Sequence, residues 1–159
     1  MENRFHVRPE LCIACKSCEL ACAFTHSSLQ GQPGKSRINI KVIKADESRL
    51  INTPLICLQC DEAACATICP TNALQWNLET GALVHHDLRC VRCHLCVAAC
   101  PFGNIYFDPV TDYPVKCDLC DGDPMCVKFC PSGAITWLPL TEAEVNRIQP
   151  EINEEADTD

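Results

Sequence analysis

Residues 90–101 read Cys90-Val91-Arg92-Cys93-His94-Leu95-Cys96-Val97-Ala98-Ala99-Cys100-Pro101: four cysteines at intervals of two, two and three residues, with proline directly after the last. Three thiols so close together on one loop can wrap three corners of a single cubane. The fourth sits a helical turn further on, where proline blocks the helix from continuing, and points away from its own loop. This is the spacing of the run that holds [4Fe–4S] clusters, in which the fourth cysteine ligates the other cluster of a pair.

Working outward, the same arrangement recurs three more times in the 159 residues, and such a repeat settles architecture more than local propensity does. Cys12, Cys15, Cys18 and Cys22 form the first group, Cys57, Cys60, Cys65 and Cys69 the second, and Cys117, Cys120, Cys126 and Cys130 the fourth, with residues 90–100 as the third. The first group keeps the spacing of the third. The second and fourth lengthen only the middle interval, through Asp61–Ala64 and Asp121–Met125, and lose no ligand. Three groups end in Cys-Pro, and a short apolar segment follows each, at Asn72-Ala73-Leu74, Asn104-Ile105-Tyr106 and Gly133-Ala134-Ile135. All sixteen cysteines of the chain are in these groups.

Two other uses of cysteine compete. Disulfides need an oxidising compartment, yet Met1–Leu11 carries Arg4, His6 and Arg8 with no apolar run behind them, unlike a signal peptide. No stretch approaches the ~18 apolar residues of a membrane span, so a reducing cytoplasm is the expected setting. Four structural zinc ions in a scaffold or adaptor protein are the main alternative. Zinc knuckles use two pairs separated by a long loop, whereas these groups carry four consecutive ligands, and Cys-Pro endings have no role in a knuckle. The net charge of −8 becomes more negative once thiolates are counted, which disfavours nucleic acid as a partner.

Ala73–Trp76 and Ala82–His85 flank Glu79-Thr80-Gly81 and predict a hairpin. Ile38, Ile40 and Val42 alternate with Asn39 and Lys41 and predict a half-buried strand. Thr141-Glu142-Ala143-Glu144 reads as a capping box opening a helix to about Ile148, stopped by Pro150 before an acidic tail. Groups two and three are separated by a stretch holding one hairpin, like an ordinary two-cluster unit, which leaves groups one and four as a second unit interrupted by the first. The expected ligand sets are then Cys12, Cys15, Cys18 and Cys130; Cys57, Cys60, Cys65 and Cys100; Cys90, Cys93, Cys96 and Cys69; and Cys117, Cys120, Cys126 and Cys22.

The run Cys12-Ile13-Ala14-Cys15-Lys16-Ser17-Cys18-Glu19-Leu20-Ala21-Cys22, the segment Cys90-Val91-Arg92-Cys93 to Pro101-Phe102-Gly103, and Lys116-Cys117-Asp118-Leu119-Cys120 resemble the four-cluster electron-transfer subunits of the dimethyl sulfoxide reductase type. The resemblance covers about residues 8–138. It implies an α+β fold of two pseudo-symmetric ferredoxin-like halves, one nested inside the other. The outer half is 1–56 with 110–140, the inner half is 57–109, and 141–159 forms a short helix and tail. It also implies four [4Fe–4S] clusters, with the pairing above, in a non-catalytic subunit that relays single electrons. The expected partner is a tungsten or molybdenum pterin oxidoreductase subunit, aldehyde- or formate-type first and hydrogenase second, with a flavin subunit as a further partner. Ala23 in place of proline after Cys22 is also like the family.

No Ser/His/Asp set or phosphate-binding glycine loop is present. His94 reads as a solvated loop histidine, with hydrogen bonding to a cluster as the sharper alternative. His85 and His86 fall on opposite faces of a strand and read as structural rather than metal-binding. Trp76 and Trp137 read as packing rather than electron relays, and Met125 as filler. Lys116 reads either as a surface lysine or as a charge that stabilises a negative cluster. Lys35, Arg37, Lys41, Lys44 and Arg49, set against Glu151, Glu154, Glu155, Asp157 and Asp159, offer a head-to-tail self-association, with a merely solubilising tail as the plainer reading.

Overall fold

A computed structural model describes residues 3–27, 33–44, 46 and 49–139. The helix expected over 141–148 and the acidic tail lie outside the described residues. Among the described residues, eight short strands and four short α-helices follow one another along the chain. They are β1 (Asn3–Val7), α1 (Ser17–Thr25), β2 (Ile38–Lys44), β3 (Leu50–Ile56), α2 (Ala64–Thr67), β4 (Leu74–Asn77), β5 (Ala82–His85), α3 (Leu95–Ala99), β6 (Tyr106–Phe107), β7 (Pro114–Val115), α4 (Met125–Lys128) and β8 (Ile135–Pro139). The class is α+β, with the strands paired only two by two.

Each pair is antiparallel: β1 with β8, β2 with β3, β4 with β5 and β6 with β7. The β4–β5 hairpin forms where expected. The Asn77 side-chain oxygen accepts the N–H groups of Glu79 at 2.9 Å and Thr80 at 3.4 Å, and Gly81 takes the left-handed φ of 67° that closes the loop. In β2, Ile38 and Ile40 are buried, but Val42 is exposed, because the ribbon runs past the core. Its partner β3 contains Pro54, which reads as a strand breaker; in a two-stranded ribbon every strand is an edge, and an edge tolerates proline. The β1–β8 pair joins the two ends of the described fold, with Val7 opposite Ile135 and Phe5 opposite Trp137, whose rings lie 4.6 Å apart.

The helices pack in two pairs, α1 against α4 and α2 against α3. The core between them is unusual in composition. In the larger cluster Ile38, Ile56, Leu119 and Ile135 are buried together with Cys18, Cys22, Cys57, Cys117 and Cys126; in the smaller one Leu74, Leu83 and Ile105 surround Cys65. Thiols occupy positions where aliphatic side chains normally fill a domain interior. Among the described residues no helix is long and apolar enough to cross a membrane.

Candidate metal centres

Each cysteine loop is bent by left-handed residues. Ala14 and Lys16, Gln59, Arg92 and His94, and Leu119, Cys120 and Asp121 all have φ between 48° and 62° without being glycine. The conformation costs roughly 1–2 kcal/mol per residue and persists only where its surroundings impose it. Turns through this conformation form concavities suited to anions and iron–sulfur centres. Arg92 N–H donates to Cys90 Sγ at 3.4 Å, and Leu119 N–H to Cys117 Sγ at 3.5 Å. After the fourth cysteine of three groups the turn repeats: Asn72, Gly103 and Gly133 are left-handed, and their N–H groups close onto the carbonyls of Cys69, Cys100 and Cys130. The next residue then donates to sulfur, Ala73 N–H to Cys69 Sγ at 3.3 Å and Asn104 N–H to Cys100 Sγ at 3.4 Å.

Four cavities result, and the cysteines sort among them four by four. Cys12, Cys15, Cys18 and Cys130 line one of about 280 Å³. Cys117, Cys120, Cys126 and Cys22 line another of about 280 Å³. Cys57, Cys60, Cys65 and Cys100 line one of about 380 Å³, and Cys90, Cys93, Cys96 and Cys69 one of about 320 Å³. Each therefore combines three cysteines of one loop with the last cysteine of another. A larger groove of about 1410 Å³, lined by Arg4, Asp61, Trp76 and Trp137 among others, contains no cysteine.

The electrostatics separate the thiols by position. Burial pushes Cys18 and Cys96 up to about 11 and Cys117 up to about 12, and raises Cys65, Cys120 and Cys126 as well. At Cys69 and Cys130 burial also acts upward, but the N–H and hydroxyl donors of the following turn outweigh it and the net shift is down. The Ser17 hydroxyl and N–H lower Cys15. Thiolate-binding metals expel such protons. Four soft sulfur donors converging on a compact, largely apolar cavity fit a thiolate-bound iron–sulfur centre. His85 lines the Cys90 cavity; its Nδ1 lies 2.9 Å from Asp87, and its Nε2 is buried without a partner among the described residues, an orphan of the kind native interiors rarely leave.

Group one, lacking the Cys-Pro turn, solves the same problem differently. Helix α1 continues through Ala23 to Thr25, and His26 at its end donates Nδ1–H to the Cys22 carbonyl at 2.8 Å while lying 3.7 Å from Cys22 Sγ. Arg37 N–H donates to the same sulfur at 3.2 Å. Asp118 joins the two, accepting from His26 Nε2 at 3.1 Å and from the Arg37 guanidinium. Burial alone would lower the His26 pKa, but the Asp118 and Cys22 hydrogen bonds raise it to about 9; burial would raise Asp118, but His26 and Arg37 hold it well below the usual carboxylate range. His26, Asp118 and Cys120 bring donor atoms within 4.8 Å of one another, yet Asp118 is already engaged by two cations, so the set is an ion-pair network. Sequence reasoning missed His26, Arg37 and Asp118; the missing proline at Ala23 was the available signal.

Of the other residues singled out, His94 is exposed and stacks on Phe107 at 3.5 Å, with Asp112 at 3.4 Å. Trp137 packs on Phe5, whereas Trp76 is 40% exposed in the large groove and is not core. Met125 opens α4 and is half-buried. Lys116 is not a surface lysine: it is buried.

The chain matches two known families, the 4Fe-4S dicluster domain over residues 48–138 and a 4Fe-4S binding domain over residues 9–25. It is 38% identical over 119 residues to the aliphatic sulfonate oxidoreductase polyferredoxin-like subunit of Pyrococcus furiosus, covering 74% of this chain and 65% of that one. Escherichia coli strain K12 has a protein, YsaA, provisionally named for electron transport, that is 35% identical over 74% of this chain and 76% of its own length. Formate hydrogenlyase subunit 2 of the same strain is 38% identical over 66% of this chain, and only 48% of that protein is covered. Several relatives are thus considerably longer than the matched segment. The active site complex BamBC of benzoyl coenzyme A reductase as isolated overlaps 97% of this chain and 90% of its own at 23% identity, with a TM-score of only 0.47. The match over most of the cysteine-bearing chain is decisive: this protein belongs to the 4Fe-4S dicluster domain family.

Proposed function

We propose that this chain is a non-catalytic electron-transfer subunit of the dimethyl sulfoxide reductase type, relaying single electrons through four [4Fe–4S] clusters. The observation that carries this reading is the sorting of sixteen cysteines into four cavities of four. Their proposed ligands are Cys12, Cys15, Cys18 and Cys130; Cys117, Cys120, Cys126 and Cys22; Cys57, Cys60, Cys65 and Cys100; and Cys90, Cys93, Cys96 and Cys69. Each bound cluster supplies one reversible electron, and the protein sets where and at what potential.

The protein's part is position and environment. Cys15 and Cys93 are exposed, so the Cys12 and Cys90 cavities reach the surface, while Cys57 and Cys117 are buried in the interior. Gln59, beside Cys57 and Cys60, donates to the Cys117 carbonyl at 2.9 Å and joins the two inner cavities. The favoured order is therefore Cys12, Cys117, Cys57, Cys90. Two nested halves are proposed, an outer one of 1–56 with 110–140 and an inner one of 57–109; the β1–β8 and α1–α4 pairings support the first, and the β4–β5 and α2–α3 pairings the second. The proposed partner is a tungsten or molybdenum pterin oxidoreductase, aldehyde- or formate-type first and hydrogenase second. The relatives named as subunits of a sulfonate oxidoreductase and of formate hydrogenlyase support a partner of this general kind.

Anaerobically purified protein is expected to contain about 16 iron and 16 acid-labile sulfides per chain and to take up about four electrons without turning over substrate. Stoichiometric zinc with no sulfide would replace this reading with the structural-scaffold one.

A further inference from the structure

An ammonium group is almost never buried unless paired. Lys116 is 5% exposed. Its Nζ donates to Gln59 Oε1 at 3.0 Å, to the Leu83 carbonyl at 2.7 Å and to the Cys117 carbonyl at 3.1 Å, so all three protons are used. Every one of these acceptors is neutral, and no described carboxylate pairs with the charge. The side chain is also clamped: Gln59 is itself buried, donates to the Cys117 carbonyl and accepts from Leu83 N–H at 3.0 Å. Hydrogen bonding is thus complete while a full positive charge stays uncompensated in the interior.

Its location says what compensates it. Lys116 lines the Cys57 cavity and is bonded to the backbone of Cys117, the first cysteine of the neighbouring cavity. Lys116 shares the Gln59 bridge that joins the two inner cavities, so its charge stands at the wall of one and on the backbone of the first cysteine of the other. A cubane with four thiolates is net negative and gains one further negative charge on reduction. We propose that Lys116 is the shared countercharge of the two inner cavities, favouring the reduced form of the cluster held in each. The inference rests on the four-cluster reading above.

The test is a redox titration followed by electron paramagnetic resonance on the full, cluster-loaded chain, with signals assigned through Cys60→Ser and Cys120→Ser. In Lys116→Met the reduction equilibrium of both inner clusters is expected to move tenfold or more against reduction, about 59 mV for a one-electron couple. The clusters of the Cys12 and Cys90 cavities stay where they were, and Lys116→Arg, which keeps the charge, stays near wild type. If Lys116→Met instead loses iron from the inner cavities while Lys116→Arg retains it, the countercharge is supported by occupancy. Unshifted potentials, a shift in only one inner cavity, or equal loss of iron in both variants overturns the proposal. A wild-type chain without iron and sulfide overturns the four-cluster reading instead, so the two failures are distinct.

Discussion

At Cys22 the chain does without the proline that ends the other three groups, and the consequences run through single residues. Ala23 lets α1 continue, which carries His26 back over the Cys22 carbonyl; Gly34 then packs so tightly on the His26 carbonyl that a Cβ there would sit 1.8 Å from its oxygen. The network closes through Asp118, which anchors both His26 and Arg37. Asp118→Ala leaves two partly buried cations without their shared anion, and hydrogen bonds to charged groups contribute about 1.5–3 kcal/mol. A loss of about 2 kcal/mol in denaturant unfolding of the loaded protein is expected, with the Cys117 cavity the first to release iron. The absent proline was visible in the sequence, but its substitutes were not, because Arg37 and Asp118 stand 15 and 92 residues from their partners. Lys116 was singled out as either a surface lysine or a charge beside a cluster, but its burial was not legible, because Gln59 and Leu83, which close over it, are distant in sequence.

The short helices act in exchange pairs. Helix α1 carries Cys18 to the Cys12 cavity and Cys22 to the Cys117 cavity, while α4 carries Cys126 to the Cys117 cavity and is followed by Cys130, which returns to the Cys12 cavity. Cys22→Ser is therefore expected to alter the spectrum of the cluster held by group four, and Cys130→Ser that of group one. A perturbation confined to each residue's own group, read by electron paramagnetic resonance, would refute the exchange. Spacing made this legible, since the x3 interval and the Cys-Pro stop leave the last thiol outside its own loop. The β4–β5 hairpin was legible too, from the apolar segments flanking Glu79-Thr80-Gly81. Strand β3 was hidden by Pro54, and the pairing of β1 with β8 by their separation, because Asn3 finds Pro139 from the other end of the described fold and no local pattern marks such a pairing.

For the molecule as a whole, cysteine stands where a larger aliphatic core would be. Two-stranded ribbons are marginal by themselves, and the buried aliphatic residues are few and interleaved with Cys18, Cys22, Cys57, Cys117 and Cys126. Metal binding energy is then folding energy. Removal of iron by a chelator under anaerobic reducing conditions is expected to abolish most of the far-ultraviolet circular dichroism in one cooperative step, and persistence of the signal would show a core that stands without metal. The pairing of β1 with β8 has a consequence for biosynthesis. Cys12, Cys15 and Cys18 leave the ribosome before the other groups, yet their cavity is completed by Cys130, the last of the sixteen. The segment from Cys57 to Cys100 contains every cysteine of its two cavities and is complete earlier. On the proposed ligand sets the two middle cavities are therefore complete before the outer two, and Cys12, Cys15 and Cys18 wait for the final group.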